Sequence, residues 1–197
     1  MPCHAVKIFA TTVMWLRPSV LALFLFVLGL PHHSLAQEGQ PAREAKVKVA
    51  FIYNFAKFAN WPDRAFETLP HKSFPICLVG KEPLGNLLDQ LAGSKTIKGR
   101  TILFRKNPPQ HDLRNCRILY ISSSESLRLD RLLKAVAGHP VLTIGSAEGY
   151  AKRGAGINLF EKNGKLSFEI NRKAILRSGL TLSSELLALG VLVEGEN

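Results

Sequence analysis

Apolar positions recur along this chain with a helical period in some stretches and as short unbroken runs in others, and the alternation of the two outlines the fold. From Ala42 to Asn60, Val47, Phe51, Phe55 and Phe58 recur at helical spacing and predict an amphipathic helix, with Lys46, Tyr53, Lys57 and Asn60 on its other side. Pro62 ends it. Asn54 falls in the apolar stripe, where an amide needs partners, so it is expected to tie down a neighbouring loop. Phe74 to Gly80 reads as a strand and Pro83 to Leu91 as a helix, its leucines at 84, 87, 88 and 91. Further strands are predicted over Thr101 to Arg105, Arg117 to Ile121 and Val141 to Ile144. Between the last two, Ser122 with Glu125 has the capping-box pattern. A helix filled by Leu127, Leu129, Leu132, Leu133 and Val136 should follow it.

This alternation predicts an α/β fold: a three-layer sandwich with a mixed, mainly parallel sheet flanked by helices. It should end in an antiparallel hairpin, because Lys162-Asn163-Gly164 separates the runs Ile157 to Glu161 and Lys165 to Ile170. Arg172 to Ser178 follows, then a break at Gly179. Ser183 to Val193 is so rich in leucine and valine that burial is expected, against this chain or another.

The first 36 residues change the compartment. Lys7 and Arg17 are their only Lys or Arg, an unbroken apolar run covers Val20 to Leu30, and Ser34-Leu35-Ala36 suits signal peptidase. That run is too short to span a bilayer, which takes about 20 residues. Residues 1–36 are therefore expected to be a cleaved signal peptide and 37–43 a flexible segment. Residues 44–197 would form one domain exported to the periplasm. The mature chain keeps 24 basic and 15 acidic residues, a formal charge of +9. Anionic partners are favoured, nucleic acid is excluded by compartment, and the scattered basic residues read as a solvated surface. Cys77 and Cys116 remain, an even pair in an oxidising compartment, and one disulfide is expected. Two buried thiols that never meet are the alternative.

Chemistry converges nowhere. His71, His111 and His139 lack a metal-type spacing. Ser122-Ser123-Ser124 has no nucleophile elbow around it and suits helix capping. Gly80 to Gly85 lacks the lysine and hydroxyl of a phosphate loop, and Arg153-Gly154-Ala155-Gly156 lacks the third glycine of a dinucleotide fingerprint. No metal, no cofactor and no enzymatic activity are expected. A ligand crevice is possible outside the carboxyl ends of the strands, where Lys81, Ser122, Ser123 and Ser146 fall, with Lys152 and Arg153 close behind. It would suit a small anion.

Several stretches together carry a family likeness. Residues 48–58 (KVAFIYNFAKF) with Trp61-Pro62, residues 156–160 (GINLF), residues 168–171 (FEIN) and residues 180–187 (LTLSSELL) resemble, in order and spacing, the YfiR-like family of periplasmic repressors of membrane diguanylate cyclases. Cys77 and Cys116 fit the spacing of that family's bridging pair. A second pair found in some relatives is missing, with Gly145, Gly149, Gly154 and Gly156 in its stretch. The resemblance implies a dimer that binds the periplasmic sensor part of an inner-membrane cyclase, YfiN, and lowers cyclic-di-GMP and biofilm formation. An outer-membrane lipoprotein, YfiB, would sequester it. The partner surface expected on this chain is the Asn-Gly hairpin with the helices after it, carried by Phe160, Phe168, Glu169, Ile170 and Ile175. Core packing is expected to claim at least half of these.

Overall fold

The computed structural model of the chain describes residues 39–70 and 72–195, which belong to one compact unit. The leader and its cleavage site, and His71, lie outside them. The expected sandwich is what the chain forms. Its centre is an eight-stranded sheet made of β2 (Ser73–Val79), β3 (Thr96–Ile97), β4 (Arg100–Lys106), β5 (Ile118–Ile121), β6 (Leu142–Gly145), β7 (Ile157–Lys162), β8 (Lys165–Ile170) and β10 (Val191–Leu192). Their spatial order is β10-β8-β7-β6-β5-β2-β4-β3. The pairs β4/β2, β2/β5, β5/β6, β6/β7 and β8/β10 are parallel, whereas β7/β8 and β3/β4 are antiparallel. The hairpin turn places Asn163 at φ 53° and Gly164 at φ 70°, the two positive angles that a tight turn matched to strand twist demands.

Period-two alternation along these strands builds two cores. On one face Phe74, Ile76 and Leu78 of β2 join Ile118, Ile144, Leu159 and Phe168. They pack under α1 (Gln40–Phe58) and α2 (Gly85–Ser94). On the other, Cys77, Val79, Leu119 and Ile121 pack against Leu113, Tyr150 and α3 (Leu129–Val136), whose Leu129, Leu132 and Val136 are buried. Leu127, expected in that helix, instead stands fully exposed on a short 3₁₀ turn. The chain ends in α4 (Arg172–Arg177), α5 (Ser184–Leu189) and β10, while β1 (Ala59–Asn60) and β9 (Thr181–Leu182) form a separate antiparallel pair.

Two helical expectations are corrected. α1 starts at Gln40, inside the segment expected to be flexible, and stops at Phe58 because residues 59–60 enter β1. Its buried stripe is Ala45, Val49, Ile52, Phe55, Ala56 rather than the Val47–Phe58 stripe. Both stripes are apolar, but the one with alanines lets the helix approach the sheet closely. Val47 and Phe58 are left exposed, and Asn54 faces solvent with no loop to hold. Phe51, Phe55 and Phe168 cluster with ring centroids 5.0 to 5.6 Å apart and fasten α1 to β8. At the C-terminus, Ser183 to Val193 is not one buried helix. Gly190 breaks it after α5, since a Cβ there would strike Ile170 and Phe168, and the chain continues as β10.

Cys77 and Cys116 form a disulfide, with Cα atoms 5.9 Å apart and both residues buried. It joins β2 to the entrance of β5, beneath α3. A second tie runs between α1 and the loop after β2: Lys48 Nζ sits 2.7 Å from Glu82 Oε1 and 2.9 Å from Glu44 Oε1. Burial works against the Lys48 charge, but the two carboxylates outweigh it and hold its pKa above the ordinary 10.5.

Replacing both cysteines by alanine should lower the unfolding free energy by about 3 kcal/mol in a urea titration. The core should otherwise survive, because the thiols lie side by side among apolar neighbours. Lys48→Met should cost about 2 kcal/mol, by leaving the nearly buried Glu82 carboxylate without its cation, and Lys48→Met/Glu82→Gln should recover most of that. Because folding raises the Lys48 pKa, its contribution is complete below the unfolded lysine value and is lost as pH climbs through the folded one. The gap between parent and Lys48→Met should hold constant from about pH 7 to 9 and close only at higher pH.

Candidate functional site

The carboxyl ends of β2, β5 and β6 bring the expected crevice residues into one neighbourhood and then fill it. Ser122, directly after β5, is buried; its hydroxyl donates to Lys81 O at 2.8 Å and to Glu82 Oε2 at 3.1 Å. It also caps the following 3₁₀ turn by accepting from Ser124 N. Ser124 Oγ in turn accepts from Lys81 N at 2.9 Å. Tyr150 closes the floor, donating from its hydroxyl to Ser122 O at 3.2 Å. Gly80 and Gly145 allow this closeness: a Cβ on Gly80 would meet Ser124 and Ser122 within 2.8 Å, and one on Gly145 would meet Tyr150 within 2.7 Å. Ser122, Ser124 and Tyr150 are spent on one another and on the loop backbone, and the nearly buried charge here is the Glu82 carboxylate.

The remaining crevice residues point to other work. Arg153 Nη2 pairs with Asp130 Oδ1 at 2.9 Å and Nη1 donates to Ser126 O, which straps the loop before β7 to α3. Ser146 Oγ lies 3.5 Å from the Ile121 carbonyl and also interacts with the Tyr120 hydroxyl. Lys152 and Ser123 are exposed. The structure thus gathers Lys81, Ser122 and Ser146 at one end of the sheet but commits Ser122 and the Lys81 backbone to internal bonds. Among the described residues no group of three His, Cys, Asp or Glu side chains is placed to hold a metal.

The hairpin and the helices after it divide differently. Phe168, Ile170 and Ile175 are buried in the core, Phe168 through its edge-to-face contacts with Phe51 and Phe55, so Phe168 and Ile170 are closed to a partner, whereas Ile175 also forms part of the wall of a surface groove. Phe160 and Glu169 are half-buried on the opposite sheet face from Phe168, since side chains alternate along each strand. Glu169 Oε2 accepts from Asn158 Nδ2 at 3.2 Å, which fixes the carboxylate at the surface. Beside it runs β10, registered Val191 to Glu169, one of the two edge strands of the sheet.

That edge is where the apolar surface collects. Leu189 is 77% exposed and Leu192 59%, with Val191 and Leu176 also open to solvent. Arg172, Leu176, Leu182 and Leu187 line a small groove of about 80 Å³ next to it. Isolated exposed leucines are ordinary on a protein surface, but Leu189, Val191 and Leu192 follow one another closely in the chain at a sheet edge, the kind of apolar patch that marks association. The leucine-rich C-terminal sequence signalled this segment. Its exposure only the fold reveals, because Gly190 turns the chain out of the helix into an edge strand.

No curated protein matches the chain significantly. Eight chains of solved structures match. One of these is a conserved domain protein from Vibrio cholerae O1 biovar El Tor strain N16961, 16% identical with a TM-score of 0.48. The match covers 75% of this chain and 59% of that one, so the present chain spans less than two thirds of that protein's length. Among the described residues no helix is long and apolar enough to cross a membrane. A family model described as YfiR/HmsC-like matches residues 45–191, from the first buried residue of α1 to the edge strand β10, and the chain belongs to that family.

Proposed function

We propose that this protein is a periplasmic, non-enzymatic repressor that binds the periplasmic sensor part of an inner-membrane, YfiN-like diguanylate cyclase and keeps cyclic-di-GMP synthesis and biofilm formation low. The observation that carries this reading is the family match across residues 45–191. The apolar edge of β10, α5 and α4 supports it, because an exposed sheet edge with leucines around it buries area when a partner docks. In this reading residues 1–36 are the leader, cleaved after Ala36, and residues 44–197 the working domain. A second copy of the chain and a YfiB-like outer-membrane lipoprotein are the other partners. The buried disulfide favours a structural staple over a redox switch, since a reductant cannot reach either sulfur while the core is closed.

Glu169, with Phe160 and the β10 edge, forms the contact surface in this reading. Mixing the exported protein with the purified periplasmic domain of a cyclase from the same genome should give a measurable dissociation constant. Glu169→Lys, or Leu189→Asp with Leu192→Asp, should weaken it at least tenfold without lowering the melting temperature, because both leucines are more than half in solvent and Glu169 lies on the face of β8 opposite Phe168. Absence of binding by the parent protein would overturn the repressor reading. Binding untouched by either variant would move the interface elsewhere.

A further inference from the structure

At the opposite end of the sheet from the crowded serines, Arg117 is buried without a countercharge. It precedes β5, is 2% exposed, and no ion pair involves it among the described residues. Its Nη1 donates to Pro140 O at 3.1 Å and its Nη2 to Asn115 O at 3.2 Å, while Nε is shielded from solvent and has no acceptor. The Phe66 ring lies 5.8 Å from the guanidinium centre, a weak substitute for an anion. Burial pulls its pKa down to about 10, so the group remains charged at neutral pH. A buried guanidinium held only by carbonyls is incompletely compensated.

The surroundings add positive charge. Arg117 lines a cavity of about 390 Å³ with Arg64, Thr68, Arg114, Asn115 and His139, and none of the lining residues is acidic. Arg114 also lines an adjoining cavity of about 440 Å³ with His111 and Arg131. Asp112 lies 3.7 Å from His111 but lines neither. Guanidiniums offer forked donors that match carboxylate and phosphate oxygens, and Thr68 and Asn115 add neutral donors at the rim. A volume of this size exceeds that of a bare oxyanion and falls in the range of small-molecule sites.

We propose that this recess, at the amino ends of β5 and β6, binds the carboxylate or phosphate group of a small organic molecule, with Arg117 at its base and Arg64 and Arg114 at its mouth. The expected preference for an anion is thereby placed at the far end of the sheet from Ser122, where the free donors are. The site is independent of the cyclase partnership.

Calorimetric titration of the exported protein with inorganic phosphate, glycerol phosphate and citrate, at constant ionic strength and against chloride, tests it. Saturable binding of at least one probe is expected. Arg64→Ala/Arg114→Ala, at exposed positions that leave the core intact, should raise the dissociation constant at least tenfold, and Arg117→Lys, which keeps the charge but not the fork, should do the same. Binding of both phosphates without citrate assigns a phosphoryl group, and citrate alone assigns a carboxylate. Heat that does not saturate, or a constant unchanged in Arg64→Ala/Arg114→Ala, overturns the proposal. A lower melting temperature with an unchanged constant in Arg117→Lys would make Arg117 a prop for the Pro140 loop and overturn its part in the site.

Discussion

Every residue of β2 is buried, and the arrangement of the chain around it follows from that. A central strand packed on both faces needs a covering layer on each side, and its two parallel neighbours fit that arrangement because parallel sheets carry their crossover helices on the faces. β4 and β5 supply the edges, one by a crossover through α2 and the other by a return through the 3₁₀ turn Gln110–Asn115. Pro75, which cannot donate to a ladder, is tolerated because its missing N–H faces the β5 side just before that pairing begins at Ile76. Its carbonyl there accepts from Arg117 N at 2.8 Å. The disulfide joins this strand to the start of β5, so the bridge pins the two segments whose register organises the second core.

The two ends of the sheet solve the problem of polar groups in opposite ways. At the carboxyl ends, glycine at 80 and 145 draws the loops together until serines, a tyrosine and a carboxylate satisfy one another. At the amino ends Asp63, Glu67 and Asp112 lie in the same connections as the arginines but none of them lines the recess, which leaves Arg117 with carbonyls at the base of an open basic pocket. Net charge alone describes a solvated surface. Its uneven distribution relative to the sheet makes one end a candidate for ligand and the other a sealed part of the scaffold.

The proposed association surface lies at the sheet's other limit, its edge. The antiparallel β7/β8 hairpin places Phe168 inward and Glu169 outward, and the parallel β10 then extends the sheet by two residues without covering them. A two-residue edge strand is too short to invite indiscriminate pairing, and the leucines around it give the edge apolar area without extending the exposed backbone. The core thus uses the motif residues Phe51, Phe55 and Phe168 to hold α1 against the hairpin, and the residues left outside are those free to meet a partner.

The sequence by itself determined the three-layer fold, the parallel strands and the Asn-Gly hairpin, and it pointed to the pairing of Cys77 with Cys116 that the structure shows. The first three depend on local period and turn chemistry, which are properties of neighbouring residues. It also carried the family, through the order and spacing of several short stretches. Tertiary structure alone decided which apolar stripe α1 buries, because Val47-Phe51-Phe55-Phe58 and Ala45-Val49-Ile52-Phe55-Ala56, which share Phe55, differ in the closeness of approach they permit and scarcely in apolarity. It decided that Ile170 and Ile175 are core and that Leu189 and Leu192 are surface, since Gly190 turns the chain where Phe168 and Ile170 leave no room for a side chain. And it decided where charge stands unmatched. Arg64, Arg117 and His139 lie tens of residues apart, and no spacing announces that three crossovers will return them to one end of one sheet.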